Sequence, residues 1–161
     1  MVRFTTASVV ITFALAAYAA AQTPTTQQVR DAIDALEKDP MSAREKGHTA
    51  TIIKFAEDSP DVSVSLDPAF LPFTDRKENG DDKNAPLLLA AFVAGNVRSQ
   101  LDSKKNADDT HAGLLTTFKV YHKIREAHPD YKDARLEELE AMEKSGKLKD
   151  HIAERQKQRA R

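Results

Sequence analysis

Apolar residues recur along most of this chain with the period of a helix. In TTQQVRDAIDALEKDP, Val29, Ala32, Ile33 and Leu36 follow the three-four-seven spacing of an amphipathic face. Thr25 or Thr26 is placed to cap this helix. Pro40 ends it, because the residue before a proline is pushed out of helical geometry. A second helix is expected from Met41 to Glu57, with Ser42 as cap and Glu45 completing a capping box. Ala50, Ile53, Ile52 and Phe55 are its inward positions, and Gly47 weakens its middle by about 1 kcal/mol relative to alanine.

The period then breaks. Pro60, Pro68, Pro72 and Pro86 rule out a long helix between residues 58 and 86. DVSVSL alternates with a period of two but has no partner strand, so an extended arm lying on the helices is expected. AFLPF is strongly apolar and is expected to plug into the core, while DRKENGDDKN reads as a charged turn around Asn79-Gly80. Leu87 to Leu101 is apolar nearly all round, with Ala90, Val93, Ala94 and Val97 on one stripe and Leu88, Leu89 and Phe92 covering the rest. A helix of that kind is buried, so this one is the predicted centre, its small residues letting neighbours approach. Asn96 and Arg98 are expected at a solvent-accessible edge. Two further helices follow, Asp109–Ala127 and Asp133–Lys144, the second with Leu136, Leu139 and Met142 inward and Gly146 as its stop. The charged end KLKDHIAERQKQRAR reads as a frayed helix running into a solvated basic tail over 155–161.

The first segment is of another kind. MVRFTTASVVITFALAAYAAAQ has a basic start at Arg3, a short apolar run from Val9 to Tyr18, and Ala19 and Ala21 at a cleavage-type position. The apolar run falls short of the roughly 20 residues that span a bilayer. A signal peptide over 1–21, cleaved before Gln22, is therefore expected, and with it export to a periplasm or outside the cell. No later segment is apolar enough to cross a membrane, so no integral membrane segment is expected after cleavage.

The remaining chain is one domain's worth of sequence. Formal net charge is −1, from 24 basic and 25 acidic residues, and loss of Arg3 makes it one unit more negative. That near balance argues against a nucleic-acid partner. Cysteine is absent, which excludes disulfides, thiol catalysis, cysteine zinc sites and iron–sulfur clusters. An exported protein of this size without disulfides relies on helix packing.

Histidines offer the first candidate chemistry. On a wheel of about 100° per residue, His111 and His122 share the side of Leu115 and Phe118 but lie three turns, about 16 Å, apart. One metal cannot span that distance. His128 points elsewhere, so the three read as packing histidines. Glu45 and His48 form half of the Glu-x-x-His pattern of di-iron bundles, and Asp109 with His111 forms a second acidic–imidazole pair. A metal-binding protein or metal-dependent enzyme would have to assemble Glu45, His48, Asp109 and His111. DRKENGDDKNAP imitates a calcium loop but places Lys77 and Pro86 where oxygen ligands are required. No phosphate-binding glycine loop, nucleophile elbow or dinucleotide fingerprint is present. No cofactor is expected.

AIDALEKDP and FKVYHKIREAHPDYKDARLEELEAM resemble the second-helix endings of tetratricopeptide-type helical-hairpin proteins, here of an exported bacterial kind. Ala35 before Pro40, Phe55 before Pro60 and Ile124 before Pro129 share one spacing; Ile52 and Tyr121 share the longer one. Pro40 and Pro129 are not separated by a multiple of about 34 residues, and the first-helix Trp, Leu-Gly and Tyr signature is absent. The resemblance implies stacked antiparallel helix pairs.

The predicted fold is all-α: five or six helices in antiparallel pairs around a buried central helix, with one irregular proline-rich arm, forming a single domain over 22–154. The predicted function is non-enzymatic binding of a protein or peptide. A metal site at Glu45, His48, Asp109 and His111 is the first alternative. A structural or stress-related envelope protein is the second; exposure of Phe70, Leu71 and Phe73 as one apolar patch for a partner would favour it. Oligomeric state is not encoded in the pattern.

Overall fold

The computed structural model describes residues 22–75 and 82–159. The expected signal peptide lies outside the described residues. Seven α-helices and two 3₁₀ turns make up the regular structure among those described, with no strand.

Helix α1 (Thr26–Lys38) is started by a capping box. The Gln28 N–H donates to Thr25 Oγ1 at 3.2 Å, and the Thr25 N–H donates to Gln28 Oε1 at 2.8 Å. Its predicted stripe, Val29, Ala32, Ile33 and Leu36, is fully inward. Pro40 does more than end α1. It is the first residue of α2 (Pro40–Glu45), where its missing N–H costs nothing, and Asp39 rather than Ser42 caps that helix. The single helix expected from Met41 to Glu57 is broken at Gly47, whose φ of 76° is left-handed, so α3 (His48–Asp58) is separate. A glycine that only weakens a helix when its φ is helical divides it when the chain must turn.

The arm from Ser59 to Asn84 carries Pro68–Phe70 and Pro72–Thr74 as 3₁₀ turns. Phe70, Leu71 and Phe73 are 1%, 3% and 2% exposed, so AFLPF plugs into the core and offers no partner an apolar patch. The alternating stretch beside it has a side chain as its partner. The Ser63 N–H donates to Gln100 Oε1 at 2.9 Å, and Gln100 Nε2 donates to the Ser63 carbonyl at 2.8 Å. One amide thus satisfies both backbone groups that a neighbouring strand would have paired.

Helix α4 (Ala85–Ser103) is the buried centre. It runs antiparallel to α1, tied by Arg30 to Asp102 and by Arg98 to Asp34 and Glu37. Its closest partner is α5 (Thr110–Ala127), also antiparallel. A Cβ on Gly95 would lie 2.5 Å from Thr116 Oγ1, and one on Gly113 would lie 2.9 Å from the Phe92 ring. The two glycines therefore set how near these axes come. Asn96, expected at an edge, is fully buried. It is tolerated there because Asn96 Nδ2 donates to Asp108 Oδ1 at 2.8 Å, while its Oδ1 accepts from the Asp109 N–H at 3.0 Å and from Gln100 Nε2 at 2.6 Å.

Helix α6 (Ala134–Lys144), capped by Asp133, returns along α5. Gly146, at φ 74°, stops it, with the Lys147 N–H donating back to the Met142 carbonyl at 2.8 Å. The expected frayed end is instead helix α7 (Leu148–Arg159), with Leu148 and Ile152 buried. Arg155 Nε and Arg159 Nη1 each donate to Asp67 Oδ2 at 3.3 Å, so these two arginines tie α7 to the arm while keeping much of their surface in solvent.

Candidate functional site

The four residues of the metal alternative are not brought together. Asp109 and His111 sit at the start of α5. Asp109 caps that helix through Ala112 N–H (3.0 Å) and accepts from Ser99 Oγ (2.5 Å). Burial opposes ionisation of Asp109, but the Ser99 hydroxyl, the Ala112 N–H and the nearby His111 and Lys149 outweigh it and hold the carboxyl below its ordinary value. Glu45 ends α2, and His48 opens α3 beside a cleft lined by Gln28, Asp31 and Thr51. Among the described residues, no group of three or more His, Asp or Glu side chains converges to hold a metal.

The histidines of α5 pair with glutamates of α6. His111 Nε2 lies 2.8 Å from Glu143 Oε2, and His122 Nε2 lies 2.8 Å from Glu140 Oε1. His122 was expected on the buried side; its side chain is 48% exposed. A 100° wheel assigns direction from the apolar face alone, whereas α6 covers an adjacent face with acids.

Further hollows lie on the surface of the described residues. The first is a shallow groove of about 230 Å³ over the α4–α5 seam. Gly95, Ala112, Leu115 and Thr116 line it, and Glu37, Arg98 and Lys119 supply charge. Glu37 Oε2 accepts from Arg98 at 3.2 Å and lies 3.9 Å from Lys119 Nζ. At Gly95 the missing side chain lets the Ala112 carbonyl and Thr116 of α5 pack directly against α4, and the groove lies along that seam.

The second is a cleft of about 310 Å³ lined by Asp82, Tyr131, Lys132 and Asp133, where the chain enters α4 and the α5–α6 connection passes over it. Tyr131 OH donates to Asp82 Oδ2 at 2.6 Å. The Tyr131 ring leans on Tyr121 at 5.8 Å, and the Arg125 guanidinium lies 5.7 Å from the Tyr121 ring centre. Tyr121 OH donates to Glu137 Oε1 (2.7 Å) and accepts from the Asp133 N–H (3.1 Å). Burial, aided by the Glu137 carboxylate, pushes the Tyr121 phenol up to about 12, and burial with Asp82 pushes Tyr131 higher still.

Asp133 is the unusual member. It is 6% exposed. Its Oδ1 caps α6 through the Leu136 N–H at 2.9 Å, while its Oδ2 is buried without a hydrogen-bond partner among the described residues. Burial raises its carboxyl above the ordinary value despite the α6 amides. Sequence reasoning did not find this cleft. Asp133 is legible as a helix cap, but Asp82 lies far away along the chain, and nothing in either segment announces their meeting. Comparison with protein-family models, curated proteins and solved structures gives no match for this chain.

Proposed function

We propose that this chain is an exported, non-catalytic helical module that binds a protein or peptide partner. The observation that carries the reading is the groove over Gly95. Its floor is small and partly apolar, its rim carries both signs of charge, and it follows the seam of two packed antiparallel helices. Such a trench admits one partner side chain while the rim charges meet the flanking polar backbone. Rim charges of mixed sign favour a defined register over strong attraction. The helix pairs implied by the tetratricopeptide-type resemblance support the same reading. The signal-peptide pattern of residues 1–21 supports export.

A photoreactive amino acid at Leu115, expressed in the native source, tests the groove, with Glu138 on the exposed face of α6 as the control position. One discrete adduct at 115 and none at 138 is expected. Equal labelling at both positions, or none at 115, refutes the groove as a binding surface. N-terminal sequencing of the same protein tests export: Gln22 is expected first, and a chain beginning at Met1 overturns that part.

A further inference from the structure

The cleft at the α5–α6 connection has a chemistry of its own. Asp133 Oδ2 is a buried carboxylate oxygen with no hydrogen-bond partner among the described residues. Leaving a charged acceptor unsatisfied is costly, and in native proteins such a group calls for an explanation. Asp133 lines the cleft together with Asp82, whose Oδ1 accepts the Asn84 N–H (2.8 Å) and whose Oδ2 accepts Tyr131 OH (2.6 Å) among the described residues. Each carboxylate oxygen accepts two hydrogen bonds, so both acids retain capacity. The Tyr131 ring provides an aromatic wall. At about 310 Å³ the space lies at the small end of ligand clefts and suits a single side chain.

We propose that this cleft receives the guanidinium of an arginine presented by a protein or peptide partner. The proposal rests on the partner-binding reading only for the source of that side chain. A guanidinium is planar, offers donors in a fork that can reach two carboxylates, and stacks on aromatic rings. The neighbouring Arg125 already behaves this way within the fold, lying over the Tyr121 ring and donating to Glu137 at 3.1 Å. A divalent metal fits less well, because it wants six or more oxygen ligands and, among the described residues, no third acid, histidine or cysteine joins the pair. Lys132 lines the same cleft and is exposed. Its ammonium opposes an incoming cation, which gives the proposal a second, oppositely signed consequence.

The test is a nuclear magnetic resonance titration of the protein with the pentapeptide acetyl-Gly-Gly-Arg-Gly-Gly-amide. Saturable shifts are expected at the amides of Asp82, Tyr131, Lys132 and Asp133. Replacing arginine by uncharged, isosteric citrulline is expected to weaken binding about tenfold or more, as loss of a charge-assisted pair does. Asp133→Asn keeps Oδ1 for the α6 cap but presents an amide N–H₂ to the guanidinium, and is expected to weaken binding by a similar factor with a dispersed spectrum. Lys132→Ala, at an exposed position, is expected to tighten it. No saturable shift, equal response to citrulline, or an unchanged affinity in Asp133→Asn overturns the proposal. So does tighter binding of free arginine than of the peptide, which would make the site one for a free amino acid. Because the probe is a defined peptide, failure here leaves the Leu115 cross-linking result standing, and failure there leaves this one.

Discussion

Replacing Gly95 by alanine tests the close approach of α4 and α5 on which both the core and the groove depend. The new Cβ would lie 2.5 Å from Thr116 Oγ1 and 2.9 Å from the Ala112 carbonyl carbon. The threonine hydroxyl can rotate away, but the Ala112 carbonyl belongs to the α5 backbone and cannot. Relief requires the helices to part by about 0.5–1 Å, a gap that forfeits a quarter to a half of each dispersion contact along the seam. Overpacking of this kind costs about 3 kcal/mol at the upper end of its usual range. The alanine returns about 1 kcal/mol of helix propensity. The net expectation is a loss of about 2 kcal/mol, seen as a fall in Tm of about 4–8 °C. Urea and thermal unfolding followed by circular dichroism at 222 nm measure it. Gly47→Ala is the comparison: nothing lies within 4 Å of its Cβ, and the strain is confined to a left-handed φ of 76°, costing about 1–2 kcal/mol. An unchanged or raised stability for Gly95→Ala refutes the reasoning, because the helices would then be farther apart in solution than the glycine contact requires.

Two further outcomes follow from the arm. Gln100→Leu removes the amide that satisfies both backbone groups of Ser63 and one acceptor of Asn96; a loss of about 1–2 kcal/mol is expected, with hydrogen exchange accelerating at the Ser63 amide before that of α4. Acid should release α7 from the arm. Burial opposes ionisation of Asp67, but the Ala69 N–H and the Arg155 and Arg159 guanidiniums outweigh it and hold the carboxyl below its ordinary value. A depressed folded-state value means stability that is present above the ordinary carboxylate range and lost as pH falls through the lower one. Exchange in α7 should therefore rise selectively below about pH 4, and Asp67→Asn should show much of that loosening at neutral pH.

Much of the fold was legible because burial of a helix is written in its own period. The stripe of α1, the all-round apolar surface of α4, and the stops at Pro40 and Gly146 each depend on residues within one or two turns of one another. Local chemistry also identified Asp109 and Asp133 as positions where helices begin. Tertiary structure decided what depends on residues distant in sequence. Pro40 reads as an end, but Asp39 makes it a beginning as well. Gly47 reads as a weak helical residue until the chain turns there to bring α3 back onto α1. Asn96 reads as polar and therefore exposed, yet it is buried because Asp108, Asp109 and Gln100 meet it. Arg155 and Arg159 read as unpartnered, yet Asp67, in the arm, pairs with both.

The same division holds for the candidate sites. Glu45, His48, Asp109 and His111 carry the residue types of a metal site, and spacing within each pair is readable, but whether two pairs converge is a property of helix packing alone. The groove over Gly95 and the cleft at Asp133 are likewise products of packing: one needs a neighbour close enough for a missing Cβ to matter, the other a loop carrying Asp82 across to the α5–α6 turn. What the sequence by itself determined is an all-helical chain, its buried centre and the chemistries it lacks, because periodicity and composition are local. What only the tertiary structure decided is which polar groups end up paired, buried or left as acceptors without a donor, because that depends on partners the chain brings together from far apart.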